Sequence, residues 1–211
     1  MLTCGNLTFS LLLEENLVEL TAALDTPEVA RFLCYDDVTD VRWAVCRRWR
    51  KDVAGEAITL VIRRDGEIVG WTGLLSLDGL PGDLQTSTFL HPKAWGCGIN
   101  VQAKHVLWAI TELLGHNRLL FSIDSSNERS LAALWKLFPD AAVVWLAGPG
   151  EPGVDVVLAA SQAPQAPGDL TPGQRLVLRT LLTRHPGWHV WRVSDGVSSG
   201  APEEAPTLSV A

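Results

Sequence analysis

Residues 91–104 read HPKAWGCGINVQAK, and no other stretch limits the available folds as much. The run LQTSTFLHP leads in with strand character. A helical pattern leads out: Ala103, Val106, Leu107, Ile110, Leu113 and Leu114 recur at three and four. Gly115 ends that pattern, in the position where tolerance of positive φ makes glycine the usual stop. A strand that turns into a helix through Gly96 and Gly98 calls for a sheet packed against helices. The turn also leaves backbone N–H groups bare at the positive end of a helix dipole, which is a site for an anion, and a Cβ there would hold the anion away. Two readings stay open on pattern alone, a phosphate cradle or a left-handed turn that only starts a helix. Two familiar phosphate loops are excluded. The dinucleotide fingerprint needs glycine where Val101 stands, and a Walker loop needs Gly-Lys-Ser/Thr after its spacer.

The flanking sequence predicts an α+β order. Residues 14–24 carry Leu17, Leu20, Ala23 and Leu24 at helical spacing, and DTPEVARFL opens a second helix with Thr26 as cap and Pro27 at the first position. Residues 40–51 form a third, acidic at its start and basic at its end. AITLVIRRDGEIVGWTGLLSL reads as two strands joined at Asp65-Gly66, LPGD as a turn, and LQTSTFLHP as a third strand. After the glycine turn and its helix come the strand NRLLFSIDS and the helix SNERSLAALWKLF, capped by Ser126 or Asn127 and closed by Pro139. AAVVWLAG and GVDVVLAAS supply two last strands around 148–153. The Pro/Ala-rich QAPQAPGD is a linker, Thr171 and Pro172 start an accessory helix, and 193–211 has the composition of a disordered tail. The domain boundaries predicted are 1–162, 163–192 and 193–211.

At 211 residues, 47% apolar and 19% charged, the chain has enough apolar content for one well-buried domain with an appendage. A net charge of −7 opposes nucleic-acid binding, which needs clustered Lys and Arg. The four cysteines show no C-x-x-C and no His at ligand spacing, so no metal site is expected and a reduced cytoplasmic setting is. His185 and His189 are separated by Pro186-Gly187, which denies them a common helix face. No stretch has the length of a membrane span, and the run 11–13 is too short for a leader. Nine tryptophans against the single Tyr35 are expected to fill the core and the rims of a cleft. RRWRK at 47–51 reads as solvated charge at a helix end.

In its setting, KAWGCG resembles the acetyl-CoA signature of the Gcn5-related N-acetyltransferase (GNAT) superfamily, Gln/Arg-x-x-Gly-x-Gly/Ala, and FLHP before it is common in the branch of ribosomal-protein N-terminal acetyltransferases. The family's second signature, Asn-x-x-Ala/Ser, is matched by Asn127, Glu128, Arg129 and Ser130, and LVELTAALDTPEVARFL resembles the first helices of that branch. The resemblance runs from about residue 7 to about 160. It implies the GNAT acyl-CoA N-acyltransferase fold, with a mixed, mostly antiparallel, splayed sheet flanked by helices. The implied cofactor is acetyl-CoA. Its pyrophosphate would sit on the N–H groups of Trp95, Gly96, Cys97, Gly98, Ile99 and Asn100 beside Lys93. Phe89 and Leu90 would lie along the pantetheine arm, as β-augmentation allows, with Asn127, Arg129 and Ser130 completing the site.

The implied reaction is acetyl transfer to a primary amine, on a small molecule or a protein N-terminus, directly within a ternary complex. Family members are often homodimers. The chain departs from the family at its proton-handling positions: Leu134 replaces the usual Tyr, Gln102 stands where Glu is frequent, and LQTSTFLHP holds no carboxylate. Ser130 and His91 are the candidate catalytic residues, and Asp124 is a candidate cap. Tyr35, Trp43 and Trp71, with Asp36 and Asp37, are expected on the acceptor's rim. Two rival readings accompany this one. The first is a GNAT-fold module that binds acyl-CoA and acts through a protein partner. The second is a protein–protein module whose terminal helix at 171–184 and tail dock a partner.

Overall fold

The computed structural model describes residues 1–33, 40–76, 84–146, 155–165, 167–186 and 188. One eight-stranded sheet organises them, in the order β1-β2-β3-β4-β5-β6-β8-β7. Its strands are β1 (Leu2–Cys4), β2 (Leu7–Leu11), β3 (Ala57–Arg64), β4 (Glu67–Ser76), β5 (Leu84–Leu90), β6 (Leu119–Asp124), β7 (Ala142–Leu146) and β8 (Asp155–Ala160). The helices are α1 (Leu17–Leu24), α2 (Pro27–Leu33), α3 (Val41–Val53), α4 (Ile99–Leu113), α5 (Glu128–Leu137) and α6 (Pro172–Leu182). Every neighbouring pair of strands is antiparallel except β5 and β6. This is the mixed, mostly antiparallel α+β architecture expected.

The two faces of the sheet bury different partners. Period-2 alternation along β3 sends Ile58, Leu60 and Ile62 to the face covered by α4, α5 and α6, while Val61 joins α1, α2 and α3 on the other. The helices supply matching stripes: Ala103, Val106, Leu107, Ile110 and Leu114 from α4 on the first face, Leu20, Leu24, Val41 and Val45 from α1 and α3 on the second. The result is a helix–sheet–helix sandwich.

Local chemistry explains most boundaries. Asp65 at φ 53 and Gly66 at φ 92 form the two-residue turn between β3 and β4, both in the left-handed region that such a turn requires. Asp40, Asn127 and Thr171 cap α3, α5 and α6 through their side chains. The LPGD turn, the segment around 148–153 and the tail at 193–211 lie outside the described residues.

Three features differ from the sequence reading. The chain begins with a hairpin, not a helix: Gly5-Asn6 joins β1 to β2, and β2 pairs with β3. Its sequence signal is short, a few alternating residues in LTFSL, and an apolar helix follows directly. Second, α6 is not peripheral. Leu178, Leu181, Leu182 and Trp188 belong to the same core as α4 and β1, so its apolar stripe is already covered by this chain. Third, Arg48 in RRWRK is buried. It donates to Thr59 Oγ1 and to the Leu74 carbonyl, the latter at 2.9 Å, and joins Asp52 and His185 in a polar cluster.

Candidate active site

The site is set by one departure from regular pairing. β5 and β6 run parallel and pair only over Leu84–Leu119, Gln85–Leu120 and Thr86–Phe121. Beyond Thr86 the two strands separate. Burial records the opening: Thr86 and Phe121 are buried, whereas Ser87, Thr88 and Phe89 on one strand and Ser122, Ile123 and Asp124 on the other are half-buried. β5 stays paired to β4 along its other edge as far as Leu90. His91 N donates to Val69 O, continuing that ladder. Hydrogen bonds in an antiparallel ladder alternate, so Phe89 turns its backbone to β4, and Thr88 and Leu90 turn theirs to the gap. The gap is thus edged by a short length of strand with its own hydrogen-bonding groups on offer.

The glycine turn closes the end of this gap. Gly96 and Gly98 both hold φ 74, a conformation that costs other residues about 1–2 kcal/mol. A Cβ built at either position meets nothing within 4 Å, so the space before the turn is open. Gly98 is the N-cap of α4 and offers no side chain to its first N–H groups. The helix ladder starts at Gln102 N to Gly98 O, which leaves the N–H groups of Ile99, Asn100 and Val101 aimed outward at the positive end of a fifteen-residue helix. Gly96, Cys97, Gly98 and Lys93 are exposed, whereas Ile99 anchors the turn in the core.

α5 meets the turn from the far strand. Its Arg129 guanidinium lies over the Trp95 ring, 3.1 Å from the centroid, and the Trp95 indole donates to Leu90 O at 2.9 Å. These contacts tie α5, the turn and the end of β5 into one rim. Asn127 Oδ1 accepts from Ser130 N at 3.2 Å, which caps α5 and leaves the Asn127 amide NH₂ without a partner among the described residues. An uncapped helix start, an open glycine turn and a free strand edge in line suit an elongated ligand with a phosphate group at one end and amides along its length.

The sequence profile of the Acetyltransferase (GNAT) domain matches residues 6–137. The chain belongs to the GNAT acetyltransferase family. Its solved structural relatives agree in fold. A T. thermophilus protein designated an acetyltransferase is 24% identical, with 86% of this chain and 96% of that one covered at a TM-score of 0.60. RimL, the ribosomal L7/L12 alpha-N-protein acetyltransferase solved with coenzyme A, is 15% identical, with 74% and 94% covered at 0.58. The microcin C7 self-immunity acetyltransferase MccE, solved with acetyl-CoA and AMP, is 12% identical, with 75% and 93% covered at 0.58. No curated protein matches the sequence. Domains of this family bind acetyl-CoA, and the open gap, the strand edge beside it and the uncapped glycine turn of this GNAT chain fit such a ligand. Among the described residues no helix is long and apolar enough to cross a membrane.

The other residues named from sequence fall into separate places. His91 accepts the Lys93 N–H on Nδ1 at 3.0 Å, capping a short 3-10 turn, so one ring nitrogen is already occupied. Ser130 is half-buried on the first turn of α5. Asp124 does not cap α5, a place that Asn127 takes; its Oδ1 accepts from Ser126 N at 2.7 Å and shapes the turn ahead of the helix. Trp71 does not line a rim. It is 2% exposed, edge-on to Phe89 in the core beneath α1–α3, because β4 turns it inward. Trp43 is exposed on α3 under Arg47. Tyr35, Asp36 and Asp37 lie outside the described residues. Leu134 is buried, and Gln102 donates to Gly168 O at 3.1 Å, fastening the linker to α4.

Sequence reasoning misses Lys104. It is 6% exposed, on the α4 face turned to the sheet, and its Nζ donates to Thr88 Oγ1 at 2.9 Å and lies 5.4 Å from the Phe121 ring centroid. A lysine within an apolar helical stripe is the available clue. Burial pushes its ammonium down to about 7. The unfolded chain titrates it near the usual lysine value of about 10.4. Between those pH values the unfolded state holds the extra proton, so this residue's contribution to stability rises with pH and is most unfavourable below about 7. Lys104→Met is therefore expected to be more stable than wild type at about pH 6, and to lose that lead as pH rises toward about 10. Urea midpoints of both proteins across that range measure it, and a constant difference would place Nζ in water.

Proposed function

We propose that this chain is an acetyl-CoA-dependent N-acetyltransferase that passes an acetyl group directly to a primary amine within a ternary complex. The observation that carries the reading is the alignment of the Thr88–Leu90 edge, which pairs with no strand on the gap side, with the uncapped start of α4. On this reading the N–H groups of residues 95–100 hold the pyrophosphate, with Lys93 beside it. Thr88 and Leu90 pair with the pantetheine amides, while Phe89, its own backbone spent on β4, borders them. Asn127 offers its free amide to the arm, and Arg129 on Trp95 flanks the outer part of the cofactor. Bound there, acetyl-CoA supplies an activated acetyl group at the narrow end of the gap.

The coenzyme A in RimL and the acetyl-CoA in MccE support the donor assignment. RimL's alpha-N-protein substrate supports a protein N-terminus as one acceptor class, and a small-molecule amine is the other. Buried Leu134 at the family's acid position favours a second reading, a binding module with weak turnover. One experiment separates them. Titration calorimetry with acetyl-CoA and CoA tests donor binding. Mass spectrometry of free-N-terminus peptides and polyamines incubated with protein and acetyl-CoA tests transfer. Binding with acetylated product supports the enzyme; binding without product for either acceptor class favours the module; no binding removes both.

A further inference from the structure

The gap lacks a carboxylate from β5, yet a proton-handling pair stands beside it. Thr88 is the first residue beyond the β5–β6 pairing whose backbone faces the gap, and its side chain points to the α4 face, where Lys104 Nζ meets it. Thr72, directly opposite on β4, is wholly buried, and its hydroxyl lies 2.7 Å from Thr88 Oγ1, its one polar side-chain partner among the described residues. A buried hydroxyl proton needs an acceptor, so Thr72 donates to Thr88. An ammonium donates and never accepts, so a charged Lys104 donates to Thr88 as well. Thr88 then accepts twice, and its own proton finds no acceptor among the described residues except toward the gap. When Nζ is neutral its lone pair accepts instead, and the chain runs Thr72 to Thr88 to Lys104.

We propose that Thr88 and Lys104 form the proton relay of this site, Thr88 as the group that touches the reacting atoms and Lys104 as the positioning residue behind it that stores the proton. The proposal rests on the acetyltransferase reading. In that reaction an N–C bond forms, the C–S bond breaks with its electron pair going to sulfur, and a substrate ammonium sheds two protons while sulfur takes one. A proton reaching Thr88 Oγ1 from the amine displaces the hydroxyl proton onto neutral Nζ. The charged Nζ then turns the Thr88 hydroxyl toward the gap, ready to donate to the departing sulfur. The other proton leaves to solvent through the half-buried mouth.

The surroundings suit a group that changes charge. β5 meets Nζ with Thr88, which Thr72 of β4 backs from the other side, and β6 meets it with the Phe121 ring. On α4 the adjacent His105 is engaged by Asp169 at 3.0 Å on the linker side. No charged side chain contributes to the lowering of the Lys104 pKa, which burial causes alone, so no carboxylate holds the proton in place.

The test uses CoA itself as probe and needs no acceptor. Calorimetry gives the affinity, and ultraviolet absorbance follows ionisation of the bound thiol with pH in the full chain, in Lys104→Met, in Thr88→Val and in Thr88→Ser. In wild type below about pH 7, where Nζ is charged and turns the Thr88 hydroxyl toward the gap, about tenfold more bound thiol is ionised than in Lys104→Met or Thr88→Val. Thr88→Ser keeps the wild-type behaviour, and calorimetry shows that each variant is loaded with CoA before its thiol is titrated. Thr88→Val provides the result even if Lys104→Met misfolds. The same thiol ionisation in wild type, Lys104→Met and Thr88→Val overturns the relay while leaving CoA binding intact. Failure of wild type to bind CoA overturns the acetyltransferase reading and the relay with it.

Discussion

Asp52→Ala lowers the unfolding free energy by about 3–5 kcal/mol, a large part of the 5–15 kcal/mol typical of a whole domain. Asp52 stands at the end of α3 and is 3% exposed. One carboxylate oxygen accepts from Thr59 N at 2.6 Å and the other from Thr59 Oγ1. The first also lies 3.2 Å from His185 Nε2. A carboxylate only accepts, so His185 carries its proton on Nε2 in this contact. Arg48, one turn back and 3.7 Å away, is pushed down to about 10 by burial and held up against that by Asp52. Gly73 leaves room for its guanidinium, since a Cβ there would fall 2.5 Å from Nη2. Removing Asp52 leaves the buried Arg48 charge uncompensated and takes an acceptor from the Thr59 amide and hydroxyl and from His185. It also cuts the tie between α3 and the segment after α6. Urea denaturation gives the value, with Asp52→Asn expected to fall between wild type and Ala because it keeps an acceptor. A loss below about 1 kcal/mol would mean the cluster is wet.

Gly98→Glu weakens acetyl-CoA binding by at least about 100-fold, or roughly 2.7 kcal/mol. Two effects combine. The carboxylate sits at the start of α4, where it takes up the N–H groups and opposes a pyrophosphate by charge. The side chain also fills space that is open in wild type. Any residue other than glycine at φ 74 adds strain of about 1–2 kcal/mol, and this acts on stability. Gly98→Ala separates the two, because it carries the strain without the charge, and it should keep affinity within about tenfold. Calorimetry on folded samples of both, checked by circular dichroism, gives the comparison. Wild-type affinity in Gly98→Glu would remove the phosphate from this turn.

How far the sequence can be read depends on how local each feature is. The Asp65-Gly66 turn, the Thr171 and Asn127 caps and the Gly98 start of α4 follow from a few consecutive residues, and each is in the structure where the pattern places it. The opening hairpin escapes such a reading because β1 has three residues and its partner β2 five, too few for a period to stand out beside a helix. Trp71 sits in the core and not on a rim, and aromatic content says nothing of which face of β4 turns inward.

What the sequence determined by itself was the glycine turn, the helix and strand types around it, and through them the family. Those depend on backbone conformation and short-range periodicity, which consecutive residues encode. Tertiary structure alone decided the rest. That β5 and β6 part after Thr86 is a relation between two strands separated in sequence by the whole of α4. That Lys104, sixteen residues along from Thr88, comes to lie against its hydroxyl follows from the crossover that lays α4 back over the sheet. Asp52 and His185, 133 residues apart, meet for the same kind of reason. A pairing between distant segments is set by the packing of whole layers, and no local pattern carries it.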